Sequence, residues 1–209
     1  MSVVESTPPG NPEPAWEIAT LFPNQGHWSE EDYLALTNYT RHLVELVDGR
    51  VEVLPMPTGA HQNIVAFLLF TLREFVRTRK LGWVIQTPFR VRVARGEFRE
   101  PDISFILREH EASRGNQYWE GADLVIEVVS DDPKDRVRDL EEKRITYARA
   151  KIPEYWIVDP EESRVLVLKL GRKGYVASVE SGGGRVRSTV LPGFELDVDE
   201  IFGAAEFED

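Results

Sequence analysis

Two acids stand where a soluble protein normally keeps apolar side chains. Asp102 lies in the stretch "EPDISFI" (100–106), at the entry to a strand, and Glu127 sits inside the apolar run "DLVIEVVS" (123–130). An ionised carboxylate on a packed strand face is costly unless it meets a cation. Two acids on neighbouring strands can hold one divalent ion jointly. Such an ion polarises a phosphodiester and lowers the pKa of a bound water, turning it into an attacking hydroxide. A nearby lysine would stabilise the developing negative charge or orient that water. Each acid also has an ordinary reading. Pro-Asp is a common strand-entry or turn dipeptide, and Glu127 would then lie half solvated at a strand end, paired with Lys143 or an arginine. The pair is more informative than either member.

Composition narrows the choice of ion. The chain has 209 residues and no cysteine, which excludes disulfides, thiolate zinc sites and cysteine nucleophiles. With four histidines, oxygen donors must dominate any site, and that favours magnesium or manganese over zinc. A formal net charge of −11 argues against a protein that coats nucleic acid in general. A local basic groove, or a bound cation, would reverse that sign locally. Hydrophobic residues make up 42% of the chain, enough for a packed core, yet no run approaches the roughly 18 apolar residues of a membrane span. The start, "MSVVESTPPGNPEPAW", lacks the basic-then-apolar order of a secretory signal, so a cytoplasmic protein is expected.

The elements that must position the acids follow from pattern. Prolines 8, 9, 12 and 14 predict a poorly ordered lead over 1–16, before a single domain over 17–209. "SEEDYLALT" (29–37) reads as a short helix with Ser29 as N-cap and Asp32 at the capping-box position. Asp48-Gly49 marks a hairpin within 42–55, and 59–80 reads as the longest helix. Residues 82–107 supply two or three strands, the last beginning at Pro101. Residues 122–130 suit a central strand buried on both faces, on which Glu127 shares a side with Val125 and Val129. A helix over 132–151 and a strand over 153–160 complete a crossover long enough for a βαβ unit. "SRVLVLKL" and "GYVASVE" form a further hairpin. The order predicts an α/β fold with a mixed central sheet flanked by helices and an N-terminal helix and hairpin extension.

The ordered set "PD" (101–102), "IEVVS" (126–130) and "RDLEEKRITYARAKIPEYWIVDP" (138–160), with "VELVDGRVEVLP" and "HQNIV" upstream, resembles the Uma-type family of restriction-endonuclease-like proteins. These belong to the PD-(D/E)XK nuclease superfamily, and the resemblance spans roughly residues 30 to 190. It implies a restriction-endonuclease-like core in which Asp102 and Glu127 are the metal acids and the carbonyl of Val128 is a further ligand. One position departs from the pattern, because Val129 stands where the motif has lysine. Variants of the superfamily move that lysine to the following helix, and Lys143 is the candidate. Asp139, Lys143 and Tyr147 lie at i, i+4 and i+8, drifting by about 40° per step into one slanted stripe. The ordinary alternative is a surface Asp139–Lys143 pair contributing about 0.3–0.5 kcal/mol.

Other residues carry smaller expectations. Glu45 would be a third acid from the N-terminal side of the cleft, or an outward glutamate on a hairpin strand. His61 would contact a phosphate or a metal-bound water, or simply pack at the helix start. Arg90 and Arg92 alternate onto one face, as the wall of a DNA channel or as a solvated sheet edge. Tyr155 and Trp156 read as core or subunit-interface aromatics. The expected function is a magnesium-dependent (or manganese-dependent) endodeoxyribonuclease acting on DNA as a homodimer. The alternatives are a non-cutting, nuclease-like interaction or DNA-binding module, and a metal-dependent phosphodiesterase acting on small nucleotides.

Overall fold

The structure, a computed structural model, describes residues 22–40, 42–130 and 132–206. The proline-rich lead lies outside them. Helix α1 (Glu30–Thr37) begins at Ser29, whose hydroxyl accepts from the Asp32 amide while Asp32 accepts from the Ser29 amide. Asp32 thus closes the capping box usually closed by Glu or Gln. Strands β1 (Val44–Val47) and β2 (Arg50–Val53) form the expected hairpin. Asp48 and Gly49 both take positive φ (49° and 68°), as a tight two-residue hairpin turn requires.

Helix α2 (Gly59–Arg79) is capped by Thr58, whose hydroxyl accepts from the His61 amide and so seats His61 in the first turn. Its stripe of Ile64, Leu68, Leu72 and Val76 is buried in the main core. The following segment makes four strands rather than two or three: β3 (Gly82–Gln86), β4 (Arg90–Ala94), β5 (Glu97–Arg99) and β6 (Ile103–Leu107). The last begins two residues beyond Pro101, leaving Asp102 at its mouth. Gly82 lets β3 lie close to β6, since a Cβ there would meet the Ile106 carbonyl oxygen at 1.9 Å. A 3₁₀ turn (Arg108–Ser113) and β7 (Tyr118–Glu120) lead into β8 (Leu124–Val128).

The crossover from β8 to the parallel strand β9 (Glu154–Asp159) forms as expected, but its helix is not continuous. It comprises α3 (Pro133–Val137), a π-helical turn (Arg138–Glu142) and α4 (Lys143–Arg149). Strands β10 (Arg164–Gly171) and β11 (Gly174–Ser181) form the second hairpin, and β12 (Arg185–Arg187), β13 (Glu195–Asp197) and α5 (Val198–Gly203) follow.

The main sheet is mixed and six-stranded, in the order β11-β10-β9-β8-β6-β3. Strand β8 sits inside it, and its two faces feed separate cores. Ile126 and Val128 pack in the cluster that includes α2, and Val125 and Val129 in the one that includes Tyr147 of α4. The N-terminal hairpin is more than an extension. It joins a second sheet in the order β2-β1-β5-β4-β7, which brings Glu45 and Arg99 to the crossover helix.

Candidate active site

Glu127 projects from β8 on the same side as Val125 and Val129 and is only 3% exposed. The half-solvated strand end considered for it is therefore wrong. Its Oε1 accepts a hydrogen bond from the Tyr147 hydroxyl at 2.6 Å and lies 2.9 Å from Lys143 Nζ. Burial pushes the Glu127 carboxyl up to about 7; Lys143 opposes the shift, whereas the charges of Asp102, Asp139 and Glu45 add to it. Burial and the Glu127 charge raise Tyr147 well above its ordinary range, so its hydroxyl stays a donor.

Lys143 is 2% exposed, which excludes the surface pair. Its ammonium lies 3.0 Å from Asp139 Oδ1 and 3.9 Å from Glu45 Oε1, in addition to Glu127. Burial alone would drive the proton off, but three carboxylates outweigh it and raise the pKa. Asp139, Lys143 and Tyr147 converge where the crossover helix widens into its π turn, a deformation common at functional sites. The Tyr155 hydroxyl donates to the Asp139 carbonyl at 2.9 Å, while Tyr155 and Trp156 are both core residues.

Asp102 stands at the mouth of β6, the strand that pairs with β8. Its Oδ2 accepts from the Val128 amide at 2.8 Å and lies 3.3 Å from His61 Nε2. The same His61 nitrogen lies 3.0 Å from the Val128 carbonyl oxygen. Both neighbours of Nε2 are acceptors, so that nitrogen carries the proton. Burial disfavours the His61 cation, yet the hydrogen bond and charge of Asp102 raise its pKa overall.

Glu45 is buried, not outward. It accepts from Arg99 Nη1 at 2.7 Å and from the Glu100 amide at 3.1 Å. Burial pushes its carboxyl up, but Lys143 and Arg99 outweigh that and hold it at about 2. Arg99 was missed as a site residue. Its signal was the alternation of Glu97 and Arg99 about Phe98, immediately before Pro101-Asp102. Arg138 was also missed; it reaches Asp135 at 2.6 Å and Asp139 at 3.3 Å. Arg90 and Arg92 do share a face of β4, but they form no free basic row. Arg90 donates to the Thr37 carbonyl at 3.1 Å and lies 4.0 Å from Glu100, and Arg92 is held between Glu30 and Glu120 at 3.0 Å each.

A cleft of about 40 Å³ opens among Leu54, Pro57, His61, Asp102, Glu127 and Lys143. Among the described residues, no three acid or histidine side chains converge as a ready-made metal cage. Two carboxylates and the Val128 carbonyl nevertheless make an all-oxygen donor set. That suits magnesium, which takes one or two carboxylates and retains water. The contacts described fall on Asp102 Oδ2 and Glu127 Oε1. Burial does most to raise Glu127, and the Asp102 charge adds to it, so a cation between the two acids would relieve part of the cost.

Residues 30–199 match the family described as "Uma2: Putative restriction endonuclease". The chain belongs to the Uma2 family. Among solved structures, the fold is shared with a protein from Anabaena variabilis ATCC 29413 described as a putative nuclease belonging to DUF820. The TM-score is 0.70 at 18% identity, covering 84% of this Uma2 chain and 98% of the other. At that identity the likeness shows the fold alone. Among curated proteins none matches.

Proposed function

We propose that the protein is a magnesium-dependent endodeoxyribonuclease that hydrolyses DNA phosphodiester bonds. The observation that carries this reading is one constellation. Asp102 and Glu127 flank a single cleft, and Lys143 lies 2.9 Å from Glu127 although it comes from the crossover helix. Val129 leaves the usual lysine position apolar, and Lys143 places its charge beside the same acid.

Asp102, Glu127 and the Val128 carbonyl would hold the cation, with manganese as a substitute. Bound there, it supplies Lewis-acid stabilisation of charge on the phosphate. The chain's own groups account for the rest. Val128 and His61 fix the Asp102 carboxylate through Oδ2. Tyr147 and Lys143 fix Glu127 through Oε1. Glu45 and Asp139 keep Lys143 protonated, so that its ammonium stabilises negative charge developing at the mouth of the cleft. His61 offers an N–H at the same mouth.

Residues 17–209 are read as one domain, working as a cytoplasmic homodimer, since two copies supply the two active sites needed to cut both strands of a duplex. The test is cleavage of plasmid and short duplex DNA in magnesium or manganese by the wild type, Asp102→Ala and Glu127→Ala, with folding checked by circular dichroism. Both variants should fold and lose metal-dependent cleavage. Retained cleavage in both refutes the assignment, and hydrolysis of small phosphodiesters but not DNA supports the nucleotide phosphodiesterase.

A further inference from the structure

A second opening of about 360 Å³ lies beside the cleft and shares Glu100 with it. Its walls come from four places in the chain: Asn38 and Thr40 after α1, His42 before β1, Phe89 and Arg90 at the start of β4, and Asn116 and Gln117 before β7. Two backbone paths run from the cleft into it. Glu100 is two residues upstream of Asp102, and Thr87, which lines the cleft and donates its amide to the Asp102 carbonyl at 3.0 Å, precedes Pro88, Phe89 and Arg90. At about 3.3 Å per strand residue, the opening begins roughly 7 Å from Asp102. That is about two nucleotide steps of about 3.4 Å along a strand.

The chemistry of the walls selects among parts of a nucleic acid. Among the described wall residues, a phosphate subsite would present several free cations. Arg90 instead donates to the Thr37 carbonyl and faces Glu100 at 4.0 Å, so much of its charge is already answered. Asn38, Asn116 and Gln117 contribute amides, each a donor and an acceptor at once, which is the pattern that matches a base edge. Phe89, partly exposed and braced edge-on by Trp119 at 5.7 Å, offers an aromatic surface on which a base can stack. A base still stacked in a duplex cannot enter such an opening, but an unpaired or flipped-out base can.

We propose that this opening is a base-binding subsite for an unpaired nucleotide adjoining the scissile phosphate, with Asn116 and Gln117 reading the base edge. The assignment rests on the nuclease reading of the cleft, but its test needs neither cleavage nor metal. Binding of fluorescein-labelled dA, dC and dT octamers, and of a blunt duplex, is measured by anisotropy in EDTA for the wild type and for Asn116→Ala/Gln117→Ala. Both residues are exposed, so the double variant should fold.

The wild type should prefer one octamer over the others. The double variant should bind that octamer about tenfold more weakly and lose the preference, with duplex binding unchanged. Equal affinities and an unchanged order of preference in the two proteins would overturn the subsite, as would a wild type that binds no single strand. A failed nuclease reading looks different: no DNA is cut in any metal, while the amide-dependent binding persists.

Discussion

Lys143→Met tests the centre of the site directly. Methionine has similar length and volume, so the change removes the charge with little loss of packing. Three carboxylates now face the ammonium at 2.9, 3.0 and 3.9 Å, and the lysine is 2% exposed. Removing one partner of a buried ion pair costs about 3–5 kcal/mol, because the charge left behind has no compensation. With a urea m-value of about 2–3 kcal/mol/M, the unfolding midpoint should fall by roughly 1–2.5 M at pH 8. Arg99 continues to neutralise Glu45, so the deficit falls mainly on Glu127 and Asp139. Protonating Glu127, whose carboxyl burial raises to about 7, relieves its share, and the gap between variant and wild type should narrow from pH 8 to pH 5. Urea titrations followed by tryptophan fluorescence at several pH values measure both effects. A loss below about 1 kcal/mol at pH 8, or a larger one with no pH dependence, would mean that Lys143 is not caged by these acids.

Other perturbations follow from the same contacts. Glu127 has a folded-state pKa raised from 4.5 to about 7, so its contribution is present below pH 4.5 and lost as pH rises through 7; Glu127→Gln should remove that decline in metal-free unfolding curves. Glu45 has the opposite sign: held at about 2, it contributes above pH 4.5 and loses that contribution as pH falls toward 2, so Glu45→Gln should flatten the acid limb of the same curves. His61→Ala frees Asp102 Oδ2 and the Val128 carbonyl from a shared N–H, so calorimetric magnesium affinity should rise, whereas a fall would make His61 a ligand. Gly82→Ala places a methyl 1.9 Å from a backbone oxygen and should cost more than about 2 kcal/mol in the same urea assay, while Gly96→Ala, with open space but φ of 76°, should cost less.

The parts of this fold legible in sequence are those set by local period. Alternation in "DLVIEVVS" correctly put Glu127 with Val125 and Val129, because a strand has no other way to distribute its side chains. The crossover to β9 followed from length and pattern, and the Asp48-Gly49 hairpin from turn chemistry. What sequence reading missed depends on distant pairings. Nothing in "VELV" says that β1 will lie beside β5, and only that pairing delivers Glu45 and Arg99 to the crossover helix. The basic row had the right face, but the acids opposite it belong to α1 and β7 and the stretch before Asp102. The π turn was hidden for another reason. "RDLEE" holds no proline or glycine, and a widened turn differs from an ordinary one by a single residue of winding.

The balance of charge around Lys143 bears on both parts of the proposed site, the lysine on the crossover helix and a cation between the two acids. Arg99 is committed to Glu45 at 2.7 Å, and Arg138 to Asp135 and Asp139. Lys143 is shared among Glu127, Asp139 and Glu45, so no protein cation in this group belongs to Glu127 and Asp102 alone. His61 offsets Asp102 only to the extent that it is protonated. A lysine at position 129 would extend from the side of β8 that already carries Glu127, into a core cluster of Val125, Tyr147 and Tyr155. Approaching from the helix, the ammonium meets Glu127 without displacing that core. Glu127 is pushed toward 7 mainly by its burial, and the charge of Asp102 beside it adds to that shift. A divalent cation held by both carboxylates would lower that pKa, so adding magnesium should stabilise the fold at pH 8 in the wild type and not in Glu127→Ala.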